Sequence, residues 1–257
     1  MQKAVEIESG KSRLRGMVHI PENANGKVPI VIILHGFCGN KMGPHFIFVK
    51  LSRLLESVGI ASIRVDFAGS GESDGDFIDM TMGTELSDAN NILSYVRTLD
   101  FVDNDKVGIV GLSMGGAIAS MLSGIRKSEI KTMCLWAPAG NMDEIILDKH
   151  YIAGNYEKFR KQGYIDIEGL SLGTAFVDNV KGLGIYEKAA GYDKESLIIH
   201  GEKDDVVLLS ASQKYINLFG EYSQLQIVSG ANHTFDNSEW EKQVIENTLE
   251  FLEKQLK

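Results

Sequence analysis

The stretch Gly111-Leu112-Ser113-Met114-Gly115 decides the fold of this 257-residue chain. Before it, residues 106–110 read Lys-Val-Gly-Ile-Val, which is typical of a short buried strand. After it, residues 116–122 read Gly-Ala-Ile-Ala-Ser-Met-Leu, which is typical of a tightly packed helix. A G-x-S-x-G between a strand and a helix forms a nucleophile elbow, a turn so sharp that only small residues fit beside the serine. The pattern therefore predicts that the Ser113 hydroxyl lies exposed above a sheet and acts as a nucleophile.

Strand-like and helix-like segments alternate through most of the chain. Continuous apolar runs, as at residues 30–34, are typical of strands buried on both faces. Apolar residues at steps of three and four, as at residues 85–99, predict helices. Further strands are predicted at residues 4–8, 14–20, 61–67, 132–136, 197–200 and 225–228, and further helices at residues 46–57, 210–219 and 240–256. This alternation predicts an α/β fold with a mostly parallel central sheet flanked by helices.

Residues 139–194 interrupt the alternation. The segment is too long for a crossover in a compact domain, and it carries several aromatic residues and clustered glycines. We therefore interpret residues 1–138 and 195–257 as one α/β core and residues 139–194 as an inserted subdomain. Its position after a strand end predicts a lid, or pocket wall, over the carboxyl ends of the strands. A surface excursion without function is the alternative.

Composition limits the classes of partner. A net charge of −9 argues against nucleic acid or an anionic membrane surface as the main partner. No stretch approaches the roughly 18 uninterrupted apolar residues of a membrane helix, and the first residues lack the apolar centre of a signal peptide, so cytoplasmic residence is expected. The two cysteines, Cys38 and Cys134, agree with a reducing compartment and lack metal-site spacing. The sequence leaves a homodimer open.

A serine hydroxyl is a poor nucleophile until a base removes its proton, and that base needs an orienting carboxylate. On a sheet of this kind both follow the serine, the acid first. Of the histidines after Ser113, His150 belongs to the insertion, and His200 ends a predicted strand, where it braces the turn beneath the acid. His233 lies in the loop between the last strand and the last helix. We predict that His233 is the general base, with a hydrogen-bonded loop histidine as the alternative.

The acid should lie in the turn after the preceding strand. Residues 201–207 there read Gly-Glu-Lys-Asp-Asp-Val-Val. Asp204 is favoured because a turn after the glycine would direct it towards His233. Asp205 is the alternative, and Glu202 is interpreted as a solvated turn residue. Whichever carboxylate serves should be ionised and accept a hydrogen bond from the histidine ring.

Stabilising the oxyanion of acyl transfer requires two preorganised N–H donors. One comes from Met114, the residue after the nucleophile, and the other from the loop after an early buried strand. That loop, residues 35–40, reads His-Gly-Phe-Cys-Gly-Asn, and its glycines let the backbone approach a substrate closely. The Phe37 amide is the predicted donor, with Cys38 as the alternative. His35 is interpreted as a structural residue that hydrogen-bonds the loop.

Together these motifs resemble the α/β-hydrolase superfamily over nearly the full chain. The stretches that are similar to bacterial feruloyl/cinnamoyl esterases are the His-Gly loop at 35–41, the glycine-rich turn at 66–75, the Ala-Pro-Ala exit at 137–139 and the His-Gly-x-x-Asp turn at 200–204. The resemblance implies an α/β-hydrolase fold with a Ser-Asp-His triad, which falls here on Ser113, Asp204 and His233. It also implies hole donors at Phe37 and Met114, and a lid that roofs a pocket for the aromatic part of a hydroxycinnamate ester.

The sequence therefore predicts a serine carboxylesterase that hydrolyses hydroxycinnamate esters through an acyl-serine intermediate. Its partner would be a small-molecule ester substrate, and neither a cofactor nor a metal is needed. Two alternatives remain open. One is another acyl hydrolase of the same fold, such as a monoacylglycerol lipase, a thioesterase or a peptidase. The other is a non-catalytic binding protein that keeps the fold as a ligand receptor.

Overall fold

A computed structural model describes residues 1–22, 26–148 and 156–257 of the chain. The strands are β1 (Gln2–Ser9), β2 (Ser12–His19), β3 (Val28–Leu34), β4 (Ala61–Val65), β5 (Val102–Leu112), β6 (Thr132–Trp136), β7 (Tyr164–Ile167), β8 (Leu170–Gly173), β9 (Ser196–Gly201) and β10 (Ser223–Val228). The α-helices are α1 (Ile47–Ser57), α2 (Met82–Val96), α3 (Met114–Ile125), α4 (Met142–Asp148), α5 (Tyr156–Gln162), α6 (Thr174–Val180), α7 (Ile185–Ala189), α8 (Leu209–Phe219) and α9 (Ser238–Leu256). Short 3-10 helices lie at Pro44–Phe46, Phe77–Asp79 and Gly220–Tyr222.

The main sheet has eight strands in the order β1-β2-β4-β3-β5-β6-β9-β10. β2 runs antiparallel to both β1 and β4, whereas the six strands β4, β3, β5, β6, β9 and β10 run parallel to one another. Because parallel strands end at the same edge of a sheet, the loops after β3, β5, β9 and β10 open on one side of the molecule. The mostly parallel sheet that the alternation predicted is confirmed.

Helices pack on both faces of this sheet. Ile30, Ile32 and Leu34 of β3 belong to a core shared with α2 and α3. Val31 and Ile33, on the opposite face, belong to a core shared with α1 and α9. Side chains alternate between the two faces of a strand, so an uninterrupted apolar run is what a strand between two cores requires. Each fully buried aliphatic side chain contributes about 1.5–3 kcal/mol to this packing.

Several element boundaries differ from those predicted. The helix expected at residues 85–99 begins earlier, at Met82, and ends at Val96. Its N-cap is Thr81, whose side chain accepts a hydrogen bond from the Thr84 backbone in a capping box that ends in threonine rather than glutamate. The strand expected at residues 106–110 extends over Val102–Leu112.

The segment from 139 to 194 holds α4 to α7 and the antiparallel hairpin of β7 and β8 among its described residues. The Asn179 side chain accepts a hydrogen bond from the Gly83 N–H at the start of α2 (2.9 Å). At Gly124 of α3 a Cβ atom would lie 2.0 Å from the Lys188 carbonyl, so α3 and α7 approach backbone to backbone. These contacts attach the segment to the helices that flank the sheet. His150, assigned to this segment from the sequence, lies outside the described residues.

Among the helices of the described ranges, none has the length and apolar character that crossing a bilayer requires.

Candidate active site

Ser113 stands between the end of β5 and the start of α3 in a strained backbone conformation. Its φ is 58° and its ψ is −122°. Such a conformation costs about 1–3 kcal/mol in a residue other than glycine, so surrounding contacts must hold it. The Ser113 N–H donates to the Trp136 carbonyl (2.8 Å), and its own carbonyl accepts from Ala139 N–H (3.0 Å). The end of β6 and the residues that follow it thus hold both peptide groups of Ser113 in place.

The elbow requires glycine at positions 111 and 115 because other backbone atoms lie very close to both residues. A Cβ atom on Gly111 would lie 2.3 Å from the Gly115 carbonyl oxygen. A Cβ atom on Gly115 would lie 2.3 Å from the His35 carbonyl oxygen. No side chain fits at either distance, so small residues beside Ser113 let α3 start directly against the end of β3.

His233 reaches Ser113 from the loop between β10 and α9. Its Nε2 lies 2.9 Å from Ser113 Oγ, and its Nδ1 lies 2.7 Å from Asp204 Oδ2. The His233 side chain is 13% exposed and that of Asp204 is entirely buried. Three segments far apart in the sequence therefore meet at the carboxyl edge of the sheet. In this arrangement Nδ1 donates to the carboxylate and Nε2 is left to accept the serine proton.

Asp204 is held as a carboxylate in this buried position. Its Oδ1 accepts hydrogen bonds from the backbone N–H groups of Val206 and Val207, both at 2.9 Å. Burial alone would raise the pKa of Asp204, but hydrogen bonds from His200 and His233 outweigh it and hold the pKa below its usual range. The group is therefore ionised at neutral pH and can act as counter-charge to an imidazolium.

The two other carboxylates of the acid turn lie elsewhere. Asp205 is exposed. Glu202 accepts hydrogen bonds from the Ser229 hydroxyl (2.8 Å) and the Gly230 N–H (2.7 Å), and so ties the acid turn to the histidine loop. Of the three carboxylates considered, the structure brings Asp204 to His233.

The predicted hole loop lies against the elbow. A Cβ atom on Gly36 would lie 3.1 Å from Ser113 Cβ, which brings the following residues, Phe37 and Cys38, beside the nucleophile. Met114 lies in the first turn of α3, where backbone N–H groups have no partner within the helix. Both predicted donors thus belong to segments that border Ser113.

His35 serves this loop as a hydrogen-bonded structural residue. Its Nε2 accepts from the Phe67 N–H (3.1 Å), so Nδ1 carries the proton and donates to the Gly36 carbonyl (2.9 Å). Burial lowers the pKa of His35, which keeps the ring neutral. The interpretation of His35 as a loop-bracing residue agrees with these contacts.

Aromatic rings line the side of the hole loop. The Phe37 ring lies 5.7 Å from that of Phe77 and 5.5 Å from that of Phe176, measured between centroids. Phe176 belongs to α6, within the segment interpreted as an insertion. A largely buried aromatic cluster therefore joins the hole loop to that segment.

The sequence did not predict the environments of two buried carboxyl groups, Asp66 and Glu85. Asp66 accepts from both the backbone N–H and the ammonium of Lys41, each at 2.6 Å, and so holds the end of the hole loop. Glu85 of α2 is buried with a carboxyl oxygen that has no hydrogen-bond partner. Burial, and then the charge of Asp88, raise its pKa well above the usual range. The sequence did contain a sign that Glu85 is buried, because it lies four residues before Ala89 and so on the predicted apolar face of the helix.

Within the described ranges, no group of three or more His, Cys, Asp or Glu side chains is arranged to hold a metal ion.

Comparison with known proteins agrees with this geometry. Residues 47–257 match the model of the prolyl oligopeptidase family. The structure of Est1E from Butyrivibrio proteoclasticus, solved with ferulic acid bound, is similar with a TM-score of 0.88 and 26% identity, covering 98% of this chain and 99% of that chain. The α/β-hydrolase fold predicted from the sequence is confirmed by these similarities.

Two curated relatives are also similar in sequence, one at low identity and the other over only part of this chain. Mitochondrial palmitoyl-protein thioesterase ABHD10 of Mus musculus is 24% identical over 80% of this chain and 68% of its own length. An uncharacterized 31.7 kDa protein in the traX-finO intergenic region of Escherichia coli is 32% identical over 99 residues, which are 38% of this chain. The match spans 32% of the length of that relative.

Proposed function

This chain belongs to the prolyl oligopeptidase family, and we propose that it is a serine carboxylesterase whose triad is Ser113, His233 and Asp204. The observation that carries this proposal is the continuous hydrogen-bonded path from Ser113 Oγ through the His233 ring to Asp204, with steps of 2.9 and 2.7 Å. A nucleophile, a base and an orienting acid in such contact are the minimum that acyl transfer to serine requires.

The reaction proceeds in two halves. Ser113 Oγ attacks the ester carbonyl carbon while His233 Nε2 takes the hydroxyl proton. The amides of Phe37 and Met114 donate to the oxyanion of the tetrahedral intermediate. His233 then gives its proton to the departing alcohol, which leaves an acyl-Ser113 ester. In the second half His233 deprotonates a water molecule that attacks this ester, and the proton returns to Ser113 as the acid departs.

The acyl group that we propose is a hydroxycinnamate. Support comes from the motifs shared with feruloyl/cinnamoyl esterases and from the similarity to Est1E, whose structure holds ferulic acid. The rings of Phe37, Phe77 and Phe176 form an aromatic cluster beside the hole loop, of which Phe37 is the partly exposed member. Aromatic rings at such distances attract one another in offset and edge-to-face arrangements, which suits the planar ring of a cinnamoyl ester. Residues 139–194, which carry Phe176, would then act as the lid.

A thioester is the second candidate substrate, because a relative that matches most of this chain bears the name palmitoyl-protein thioesterase. The same triad cleaves esters and thioesters, so the acyl pocket decides between them. A peptide is the third candidate substrate, because the family is named for a peptidase.

The test combines covalent labelling with a substrate panel. A fluorophosphonate probe should label the wild type and fail to label Ser113→Ala. Ser123→Ala is the matched control, because this buried serine of the same helix has a hydroxyl without a partner and its loss removes no hydrogen bond. Methyl ferulate, p-nitrophenyl acetate, palmitoyl-CoA and a prolyl peptide amide are then compared by kcat/KM.

We expect methyl ferulate to be the best of these substrates. Rapid turnover of palmitoyl-CoA or of the peptide beside negligible turnover of methyl ferulate would reject the hydroxycinnamate assignment and keep the serine hydrolase. A wild-type protein that takes no label and cleaves no member of the panel would reject the hydrolase and favour a ligand receptor.

A further inference from the structure

A second imidazole contacts the carboxylate of the triad. His200, near the end of β9, places Nε2 at 3.2 Å from Asp204 Oδ2 and at 2.8 Å from the Val207 carbonyl oxygen. Its Nδ1 lies 2.6 Å from the Ser212 hydroxyl of α8. The His200 side chain is entirely buried. It therefore contacts protein groups alone, and the triad residue that it contacts is Asp204.

The contacts of His200 determine which nitrogen carries a proton. Nε2 faces two oxygen atoms that only accept, the Val207 carbonyl and Asp204 Oδ2. Nε2 must therefore be protonated; it donates to the Val207 carbonyl, and the same N–H is shared with Asp204 Oδ2 in a longer contact. The Ser212 hydroxyl can donate to Nδ1, so the ring is satisfied on both edges and fixed in one orientation.

Asp204 accepts from four donors as a result. Oδ1 takes the two backbone N–H groups of Val206 and Val207. Oδ2 takes His233 Nδ1 and His200 Nε2. A carboxylate has about four lone-pair sites, so this buried group has no acceptor capacity left. Both imidazole rings therefore contact the same oxygen atom, Asp204 Oδ2.

We propose that His200 is a positioning residue of the hydrolytic reaction: by donating to Asp204 Oδ2 it orients the carboxylate and limits how strongly that oxygen holds protonated His233. This inference rests on the triad proposed above. Burial raises the pKa of Asp204, and His200 is one of the groups that lower it below its usual range. This effect supports the same role.

Loss of the His200 donor has two predictable effects. Oδ2 would direct its full charge at His233, so the imidazolium is stabilised and the ring loses its proton at higher pH. The carboxylate would also lose one of the contacts that orient it, so proton transfer from Ser113 slows. Substrate affinity should not change, because His200 is buried and lies behind the acid. A purely structural residue would lower the folded fraction without moving the pH profile.

Other charged groups near the histidine loop have hydrogen-bond partners other than His200. Glu202 bonds Ser229 and Gly230 on that loop. His45 bonds the Thr234 carbonyl and pairs with Glu241 of α9. Asp204 is the ionisable group in hydrogen-bond contact with the His233 ring, so a shift in the profile of a His200 variant reports on their pair.

The test measures kcat/KM of the full chain against pH for His200→Met, which removes the donor, and for His200→Gln, which can keep an N–H near the same place. We expect His200→Met to raise the midpoint of the acid limb by about half a unit or more and to lower kcat about tenfold, with KM within about twofold. His200→Gln should restore most of both. His19→Met is the matched control, since His19 is also a fully buried, hydrogen-bonded histidine but lies on β2 and bonds Glu56 and Arg64. It should leave the profile unchanged.

Ser212→Ala covers the case in which His200→Met does not fold. It keeps His200 but removes the partner of Nδ1, and it should shift the acid limb in the same direction by a smaller amount. An unchanged acid limb in His200→Met, or in Ser212→Ala where the former does not fold, overturns the role of His200. The proposed hydrolase fails separately, if the wild type takes no fluorophosphonate and cleaves no ester.

Discussion

Substituting Gly115 by alanine tests how the elbow positions the oxyanion donors. The added Cβ would lie 2.3 Å from the His35 carbonyl oxygen and 2.5 Å from that of Leu34, whereas ordinary contact begins at 3.4 Å. Both atoms belong to the backbone at the end of β3, which cannot turn aside as a side chain could. The start of α3 must therefore move away from β3 by about 1 Å.

This movement separates the two parts of the oxyanion hole. Met114 moves with α3, while Phe37 stays with the loop that follows β3. A displacement of about 1 Å at reacting groups can reduce the rate about 100-fold. Overpacking of this kind also lowers stability by about 1–3 kcal/mol, which for a chain of this size lowers Tm by roughly 2–12 °C. We expect Gly115→Ala to lose kcat far beyond its loss of folded protein.

The assay compares kcat on methyl ferulate with Tm from circular dichroism. Gly116→Ala is the control on the same helix, because its Cβ would lie 3.0 Å from the Gly111 carbonyl oxygen and from Pro138 Cβ, a contact that shifts of a few tenths of an ångström relieve. Its kcat should stay within about threefold of the wild type. If folded Gly115→Ala turns over as fast as Gly116→Ala, close approach of α3 to β3 does not position the donors, and the reasoning is refuted.

Three further substitutions test the electrostatics and the pocket. Asp204→Asn should lower kcat by about 10⁴-fold, because an amide can aim an N–H at the histidine and favour the wrong tautomer; full activity in a steady-state assay would contradict this. Glu85 has a folded-state pKa raised by burial and then by the charge of Asp88, so the wild type should lose stability as pH rises above the unfolded value. Glu85→Gln cannot ionise and should therefore flatten the change in unfolding free energy between about pH 5 and pH 8, measured in urea; equal slopes in both proteins would contradict the neutral carboxyl. Phe176→Ala removes the ring 5.5 Å from that of Phe37 and should raise KM for methyl ferulate about three- to tenfold while leaving p-nitrophenyl acetate unaffected; parallel changes for both substrates would argue against an aromatic pocket wall.

The parts of the fold and the site that could be predicted are those encoded locally. The elbow at Ser113 needs small neighbours, and a short motif states this need directly. The apolar run of β3 and the periodic stripe of α2 indicate which faces are buried, and the order of strands and helices then brings the loops to one edge of the sheet. Asp204 and His233 followed from that topology, since each lies in a loop that opens beside the elbow.

An unusual local cap and the packing of distant segments could not be predicted. The start of α2 was misplaced because its capping box pairs Thr81 with Thr84, without the glutamate that usually marks such a box. His200 was interpreted as a brace of the turn, but its contact with Asp204 depends on the orientation of its ring. That orientation is set by Ser212 of α8 and by the Val207 carbonyl. The periodicity of apolar residues predicts which face of a helix is buried, but it does not predict which atoms form hydrogen bonds with one another.

Two buried carboxyl groups of this chain have pKa values shifted in opposite directions, and the difference lies in their hydrogen-bond donors. Asp204 accepts from two backbone N–H groups and two imidazoles, and these bonds outweigh the desolvation that would otherwise raise its pKa. Glu85 is also buried but has an oxygen without a partner, so desolvation, and then the charge of Asp88, raise its pKa well above the usual range. Burial therefore does not decide whether a carboxyl is charged; the number of donors that reach it does. At neutral pH the group that faces His233 is therefore the ionised carboxylate of Asp204. A substitution that removes a hydrogen-bond donor of Asp204 should alter the pH profile of the reaction more than a substitution that only exposes Asp204 to water.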